Sequence, residues 1–302
     1  MGMNKLAIVI PYYKMVFFEE TLKSVASQTD KRFTLYIGND ASPDDPFPLI
    51  DKYFPDGSYN YIDYKENLGG KNLAMQWERI LENVTEEWFH ILGDDDVISE
   101  NFVEEFYKDM PVIIQKECNV VKFSQCWINE NGERITDFTD YEQLIDPADN
   151  IGYKIMKAER SSLSEHIFRK KQYLKFNFKK FPLAWATDDV AVLEFSERKY
   201  IYFIRNSKVL VRVSNENISG RTDNQLEKKN AKIASEKYLI KKHYKNLTKE
   251  SLIKIINNQI YYRYHFNTPL GFSLFKMYYY LRLYKKILAL PKTYLILCKI
   301  LK

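Results

Sequence analysis

The sequence has little cysteine and little histidine. Its 302 residues include three cysteines (Cys118, Cys126 and Cys298) and four histidines, and none of them forms a CxxC pair or has the spacing of a zinc site. This excludes a disulfide-stapled secreted domain and a thiolate or histidine metal centre. It also predicts a reducing, cytoplasmic location.

Long apolar runs are also missing. The N-terminal run LAIVI is too short for the apolar segment of a signal peptide and leads into PYYK, not into a small-residue cleavage site. Near the C-terminus, lysines and Pro291 interrupt each apolar stretch before it is long enough to span a bilayer. We therefore expect LAIVI to form a first strand of a globular protein.

Acidic residues are absent from residues 251–302. This segment has nine Lys and Arg residues, whereas the rest of the chain has 36 basic against 40 acidic residues. The asymmetry predicts an anionic partner for the segment and argues against a general nucleic-acid-binding protein. Two interpretations stay open: peripheral binding to the anionic inner face of a membrane, helped by eleven Tyr and Phe side chains, or a helical extension packed on the core or in a dimer.

Apolar and aromatic residues are plentiful, and they alternate between two spacings. The apolar stretches KLAIVIP, RFTLYIGND, YNYIDYKEN and EEWFHIL are separated by stretches with helical spacing. Alternating strands and helices predict an α/β protein with a Rossmann-like, mostly parallel sheet flanked by helices. In such a sheet, ligands bind at the carboxyl ends of the strands.

Polar and aromatic motifs follow each of these four strands. They are PYY, NDASPDD, ENLGGKN and GDDD, in that order. Carboxylates without histidine or cysteine suit Mg²⁺ or Mn²⁺, which typically bridge to a diphosphate. Such a cation would also neutralise Asp94, Asp95 and Asp96, which otherwise repel one another. The alternative is that these three aspartates form a turn and cap a helix beginning near Ser99.

As an ordered set, VIPYY, NDASPDD, NLGGKN and GDDD resemble the family 2 inverting glycosyltransferases of the GT-A fold, over about residues 4–110. The resemblance implies transfer of a sugar from a nucleotide-sugar, with a UDP-linked donor expected, to a glycan or lipid-linked saccharide in surface polysaccharide biosynthesis. It implies Mn²⁺ or Mg²⁺ as the cofactor. It also implies that Pro11 and Tyr12 line the base pocket and that Asp40 accepts from the pyrimidine N–H.

Two positions depart from the family pattern. Asn39 replaces the first aspartate of the second motif, and Gly93 replaces the first aspartate of the fourth motif. In that alignment Asp95 binds the metal, whereas in another register Asp94 and Asp96 form the D-x-D pair. The residues expected at the donor site are Pro11, Tyr12, Tyr13, Asp40, Asn67, Gly70, Lys71, Asp94, Asp95 and Arg212, and the expected metal ligands are Asp95, Asp94 and Asp96.

The segment FPLAWATDDVAVLEF resembles the family's E-D-x-x-L segment, whose aspartate is the general base. In this register Asp189 is the base and Asp188 stands in the place of the glutamate. Inverting transfer needs such a carboxylate to deprotonate the acceptor hydroxyl. The same pair would also suit a helix N-terminus. Trp185 could stack on a sugar or simply pack, and Arg212, Ser214, Asn217 and Ser219 match an R-x-S-x-x-N-x-S segment.

We predict a GT-A domain over residues 1–224, with a nucleotide-sugar-binding half (1–98) and an acceptor half (99–224). A helical, basic and aromatic extension covers residues 225–302. One alternative function is a sugar-nucleotide nucleotidyltransferase, but its G-x-G-x-R loop is missing from PYYKMVFF. The other is a catalytically silent glycan-binding homologue, and the presence of both Asp95 and Asp189 argues against it.

Overall fold

The computed structural model describes residues 4–156 and 160–266. The chain divides into two compact units between Lys232 and Ile233. The first unit contains a mixed sheet with helices on both faces, and the described part of the second unit is helical. The helix that begins at Gln225, where the predicted extension starts, contains the division.

The strands and helices alternate along the first half of the chain and are less regular in the second. The described strands are β1 Leu6–Tyr12, β2 Phe33–Asp40, β3 Asn60–Tyr64, β4 Trp88–Ile91, β5 Val97–Ile98, β6 Val120–Ile128, β7 Leu144–Ile145, β8 His166–Arg169 and β9 Ile201–Arg212. The helices are α1 Phe18–Ala26, α2 Phe47–Tyr53, α3 Leu73–Leu81, α4 Phe102–Gln115, α5 Pro147–Met156, α6 Lys170–Phe176, α7 Thr187–Ser196, α8 Gln225–His243 and α9 Lys249–Phe266.

The strands form one sheet in the order β3-β2-β1-β4-β8-β6-β9-β5, with β7 paired to β9. The four predicted strands, β1 to β4, are parallel to one another, which confirms the expected Rossmann-like arrangement. Strand β8 is antiparallel to both β4 and β6, and β6 is parallel to β9. The carboxyl ends of β1 to β4 therefore lie along one edge of the sheet.

Strand β1 is apolar throughout because both faces of the sheet are covered. Leu6, Ile8 and Ile10 belong to the core cluster that includes α1, α2 and α4, whereas Ala7 and Val9 belong to the cluster that includes α3, α6 and α7. All five side chains are fully buried. This is the arrangement that an unbroken apolar strand predicts.

The second unit, as far as it is described, consists of the end of α8 and the helix α9. Leu252, Ile255 and Ile256 of α9 are buried, and Glu236 of α8 accepts hydrogen bonds from Asn258 (2.7 Å) and Gln259 (3.0 Å). No helix among the described residues is long and apolar enough to cross a membrane. Most of the segment expected to bind a membrane surface, residues 267–302, lies outside the described residues.

Candidate active site

The three consecutive aspartates lie in the turn after β4, at the carboxyl edge of the parallel strands. Oδ2 of Asp94 accepts hydrogen bonds from the backbone N–H groups of Tyr13 (2.8 Å) and Lys14 (2.9 Å), which follow β1. The turns after two neighbouring strands are thus joined, as the topology predicts.

Asp95 and Asp96 join the same turn to the second half of the chain. Oδ2 of Asp95 accepts from the side-chain amide of Asn217 at 2.9 Å. Asp96 is buried, and both of its oxygens are used: Oδ2 accepts from Ser164 Oγ (2.5 Å) and Oδ1 from the backbone N–H of Arg212 (2.8 Å). The buried Asp96 therefore supports the turn that carries the partly exposed Asp94 and Asp95.

The aspartates do not cap a helix. Helix α4 begins at Phe102, after β5, and its N-cap residue is Asn101. The three carboxylates make their hydrogen bonds to other segments. The alternative interpretation of GDDD as a helix cap is therefore wrong.

The carboxylates of this turn disfavour one another's ionisation. Burial, and after it the charge of Asp95, raises the pKa of Asp94 to about 7 and that of Asp96 to about 8. Burial also raises the pKa of Asp95. A positive charge placed against the turn would relieve both effects.

Gly93 allows these carboxylates to lie close to the backbone. A Cβ atom at this position would lie 2.9 Å from Oδ1 of Asp95 and 3.0 Å from Oδ2 of Asp96. An aspartate here, as in the family pattern, would require both carboxylates to move. Glycine at position 93, where the family pattern has aspartate, thus leaves the space that the carboxylates of Asp95 and Asp96 occupy.

Arg212 is a buried cation at the end of β9. Its Nε donates to the carbonyl of Asp95 (3.0 Å), its Nη1 to the carbonyls of Asn129 (3.0 Å) and Glu130 (3.1 Å), and its Nη2 pairs with Glu20 (2.6 Å). These contacts use the guanidinium within the protein. They are better explained if Arg212 supports the aspartate turn than if it contacts the donor, as the resemblance implies.

Asp40, at the end of β2, organises the loop between β3 and α3. Its two oxygens accept from the backbone N–H groups of Leu68 and Gly69, each at 2.8 Å, and Oδ1 also pairs with Arg79. Burial raises the pKa of Asp40 against the lowering effect of these bonds. A Cβ atom on Gly69 would collide with Oδ2 of Asp40, so this approach requires glycine.

The same loop carries three of the expected donor-binding residues. Oδ1 of Asn67 accepts from the backbone N–H of Gly70, and the exposed Lys71 pairs with Glu66. Asn72 then caps α3 by accepting from the N–H of Ala74 at 3.0 Å. The loop is thus held by its own contacts, with a lysine at its surface.

The two tyrosines at the end of β1, Tyr12 within the strand and Tyr13 after it, differ in exposure. Tyr12 is fully buried, its ring centroid lies 4.4 Å from that of Phe18, and its hydroxyl donates to the carbonyl of Asp44 at 3.1 Å. Its ring therefore belongs to the core and does not line an open pocket. Pro11 is partly exposed and Tyr13 is exposed, so these two residues are the ones presented at this edge.

Asp188 and Asp189 lie in the first turn of α7, as the sequence predicts. Asp189 is buried, and its Oδ1 lies 3.7 Å from Nζ of Lys154 on α5. Burial, and after it the charge of Asp189, raises the pKa of Asp188 to about 7. Burial alone would lower the pKa of Lys154, but the carboxylates of Asp189, Asp188 and Glu165 outweigh it and raise that pKa.

Residues 161–165 contact the aspartate turn and also Lys154, the partner of Asp189, and no motif in the sequence indicates this. Ser164 Oγ donates to Asp96 and accepts from the N–H of Gly93 (3.1 Å). Ser161 accepts at its carbonyl from Nζ of Lys154 (3.0 Å), the partner of Asp189. Small hydroxyl residues before a buried strand are too common to predict such a connection.

The aspartate turn can supply a divalent cation with one or two ligands but not with a complete coordination shell. Within residues 4–156 and 160–266, no group of three His, Cys, Asp or Glu side chains has the arrangement of a complete metal site, so Asp94, Asp95 and Asp96 do not form one together. Described hydrogen bonds involve Oδ2 of Asp94 and Oδ2 of Asp95, and none involves either Oδ1. One or two carboxylates are what Mg²⁺ uses when phosphate and water complete its shell.

Residues 7–113 match the family model described as Glycosyl transferase family 2. No curated protein sequence matches the chain. Among solved structures, the fold is similar to that of S. aureus TarS 1-349 in complex with UDP-GlcNAc, with a TM-score of 0.63, 13% identity, and coverage of 86% of this chain and 73% of that one.

Two further TarS structures have the same fold. S. aureus TarS 1-349 in complex with UDP gives a TM-score of 0.59 at 16% identity, over 89% of this chain and 75% of that one. S. aureus TarS also gives 0.59 at 16% identity, but there 87% of this chain spans only 44% of that one. Residues 7–113 thus match glycosyl transferase family 2, and the chain as a whole shares the GT-A fold of the TarS structures.

Proposed function

We propose that the chain is an inverting glycosyltransferase that moves a hexose or N-acetylhexosamine from a UDP-sugar to a saccharide hydroxyl. The observation that carries the proposal is the pair of carboxylate groups: Asp94 and Asp95 at the carboxyl edge of the sheet, and Asp188 and Asp189 at the start of α7. Residues 161–165 contact Asp96, next to the first group, and Lys154, the partner of Asp189 in the second. The UDP and UDP-GlcNAc complexes of TarS favour a uridine donor.

The donor side consists of the turns after β1, β2, β3 and β4. Pro11, Tyr13 and the loop that Asp40 organises would hold the nucleoside, and Lys71 would meet the diphosphate. Asn39 is also part of this edge, where its amide donates to Asp63 at 3.0 Å. Asp95, with Asp94 beside it, would hold Mg²⁺ or Mn²⁺, which neutralises charge on the diphosphate.

Asp189 would act on the acceptor side as the general base. As the acceptor oxygen attacks the anomeric carbon, its proton passes to the Asp189 carboxylate, and the bond from that carbon to the β-phosphate oxygen breaks. UDP leaves from the opposite face, so the configuration at the anomeric carbon inverts. Nζ of Lys154 lies 3.7 Å from Oδ1 of Asp189 and places a positive charge beside this carboxylate.

The acceptor class and the setting rest on the family resemblance. They are a glycan or lipid-linked saccharide and surface polysaccharide biosynthesis in the cytoplasm, with peripheral attachment to the membrane through residues 251–302. A nucleotidyltransferase remains the alternative enzyme, and a silent glycan-binding protein the alternative without catalysis. Both alternatives predict no release of UDP from UDP-sugars.

Donor binding and turnover test the proposal. UDP should bind more tightly with Mg²⁺ or Mn²⁺ in calorimetry, and Asp95→Ala should remove most of that gain while the protein stays folded. Loss in Asp94→Ala instead would favour the other register. A screen of UDP- and GDP-sugars should find at least one UDP-sugar that is hydrolysed, and no UDP release from any of them would overturn the proposal.

A further inference from the structure

Three of the four tryptophans belong to the core of the sheet unit, and Trp185 does not. Trp77 and Trp88 are buried members of the two apolar clusters, and Trp127 packs against one of them. Among the described residues, Trp185 is part of neither cluster and is partly exposed. Its ring is covered by the ammonium of Lys228, 5.1 Å from the ring centroid.

The backbone around Trp185 is strained. Leu183 (φ 57°), Ala184 (φ 53°) and Ala186 (φ 64°) all have left-handed conformations, although none is Gly, Asn or Asp. Each such residue costs on the order of 1–3 kcal/mol, and such strain persists where surrounding contacts impose it, often at functional sites. A merely structural turn would have been less costly with glycine at these positions.

Contacts at both ends impose this conformation. The carbonyl of Phe181 accepts from Nδ2 of Asn72 (2.7 Å) and from the N–H of Ala184 (2.9 Å). On the other side, Thr187 Oγ1 donates to the carbonyl of Lys179 at 2.6 Å. Asn72 also caps α3 at the end of the glycine loop, so the strained turn is fixed to the donor side of the site.

The ammonium of Lys228 is also fixed by hydrogen bonds. Its Nζ donates to the carbonyls of Ser219 (3.2 Å) and Arg221 (2.7 Å). These residues follow Asn217, whose amide contacts Asp95. Lys228, in the first turn of α8, therefore joins the indole to the loop that contacts the aspartate turn.

Trp185 is also close to the proposed base. It precedes Asp189 by four residues, so the two Cα atoms are at most about 14 Å apart. A sugar that presents a hydroxyl to Asp189 would therefore extend past the indole. Asn72, at the end of the glycine loop, contacts Phe181 just before the strained turn, and Asp189 follows the turn in the first turn of α7.

We propose that Trp185 is the stacking platform for a pyranose ring of the acceptor. This rests on the proposed function, since it takes Asp189 as the group that receives the acceptor proton. The apolar C–H face of a pyranose packs on one face of the indole, while Lys228 covers the other. The strained turn holds the indole out of the core for this purpose.

Saturation-transfer NMR on the full chain tests this without needing turnover. The probes are the methyl β-glycosides of glucose, galactose, N-acetylglucosamine and N-acetylgalactosamine, with UDP and Mg²⁺ present. Wild type and the control Tyr200→Leu, which removes another exposed aromatic, should transfer saturation to the C–H protons of at least one glycoside. Trp185→Leu should bind it roughly tenfold more weakly or worse, and Trp185→Phe should retain part of the binding.

The other outcomes separate the two proposals. Equal glycoside binding in Trp185→Leu and wild type, or no binding to wild type, would overturn the platform. If Trp185→Leu binds UDP-GlcNAc more weakly but binds UDP as wild type does, the indole contacts the donor sugar. That result would overturn the acceptor assignment. Glycoside binding through Trp185 without UDP release from any UDP-sugar would retain the platform and overturn the proposed function.

Discussion

The three aspartates of the turn after β4 and the two at the start of α7 differ in role because their neighbours differ. Asp96 is buried with both oxygens hydrogen-bonded, so it is a support. Asp94 and Asp95 each use one oxygen within the protein. Asp189 faces the ammonium of Lys154, whereas burial and Asp189 raise the pKa of Asp188 to about 7. At this scale, the position of a carboxylate in the sequence says less than its partners do.

The base assignment predicts a catalytic loss at one residue. Asp189→Asn should slow UDP release from a saturating UDP-sugar by roughly 10²-fold or more, because the acceptor proton loses its base, while UDP affinity stays unchanged. Asp188→Asn is the matched variant and should be affected less. A loss confined to Asp188→Asn would move the base to that residue, and full activity in both variants would contradict a base on α7.

The raised pKa of Asp188 predicts a pH dependence of stability. Between about pH 4 and pH 7 the folded chain retains a proton at Asp188 that the unfolded chain has lost, so this group's contribution to stability falls as pH rises through that window. Asp188→Asn should therefore lose less stability than wild type between pH 4 and pH 8. Urea unfolding with EDTA measures this, with the exposed Asp51→Asn as control, and equal losses in Asp188→Asn and wild type would contradict it.

At the scale of elements, the short segment of residues 161–165 contacts the aspartate turn and also Lys154, the partner of the proposed base. Its last residue, Glu165, is buried and pairs with the buried Lys122 of β6 at 3.3 Å. Ser164 donates to Asp96, and the carbonyl of Ser161 accepts from Nζ of Lys154. A buried ion pair of this kind is weak evidence for stability, and we expect its role here to be positional.

Ser164→Ala should separate positioning from folding. The substitution leaves Oδ2 of the buried Asp96 without its donor, which costs about 1–3 kcal/mol of stability, and it frees the turn that holds Asp94 and Asp95. Metal-dependent UDP affinity should fall roughly tenfold. Ser162→Ala, whose hydroxyl contacts only Glu165 (3.4 Å), is the control, and equal UDP affinity in both variants would contradict this role.

The elements of the first half could be predicted from sequence, and those of the second half only in part. Strand β4 is buried throughout, and so is β1 except at Pro11, because helices cover both faces of the sheet, whereas β3 is a partly exposed edge strand with an aromatic pattern. Once these strands are located, the motifs at their carboxyl ends follow. Strands β5 and β7 have two residues each, which is too short for a period. The resemblance implies that Tyr12 lines the base pocket, but Tyr12 ends β1 and its ring is buried in the core.

At the scale of the whole molecule, a neutral-to-acidic sheet unit is followed by a basic, aromatic segment. Residues 251–302 have nine cations and no acids, and attraction to an anionic surface is about 1 kcal/mol per Lys or Arg. Lys285, Lys286, Lys292 and Lys299, all changed to Gln, should lower binding to anionic liposomes by roughly 10²-fold at low salt. Added salt should weaken wild-type binding in the same co-sedimentation assay.

The matched control changes four exposed lysines of the preceding helical region, Lys241, Lys242, Lys245 and Lys249, to Gln. It removes the same charge and should bind almost as wild type does. Equal losses in both variants would mean that net charge alone drives binding. No binding of wild type to anionic liposomes at low salt would contradict the peripheral membrane assignment.

The stereochemistry of donor hydrolysis directly tests whether the chain transfers the sugar with inversion and with Asp189 as the base. With water as acceptor and Mg²⁺ present, an inverting enzyme converts an α-linked UDP-sugar, such as UDP-GlcNAc, to the free β-anomer first, and mutarotation follows more slowly. Proton NMR resolves the two anomeric signals during the first minutes of the reaction. We predict that the β-anomer appears first and that Asp189→Asn slows its appearance. Early accumulation of the α-anomer would contradict inverting transfer by a base on α7.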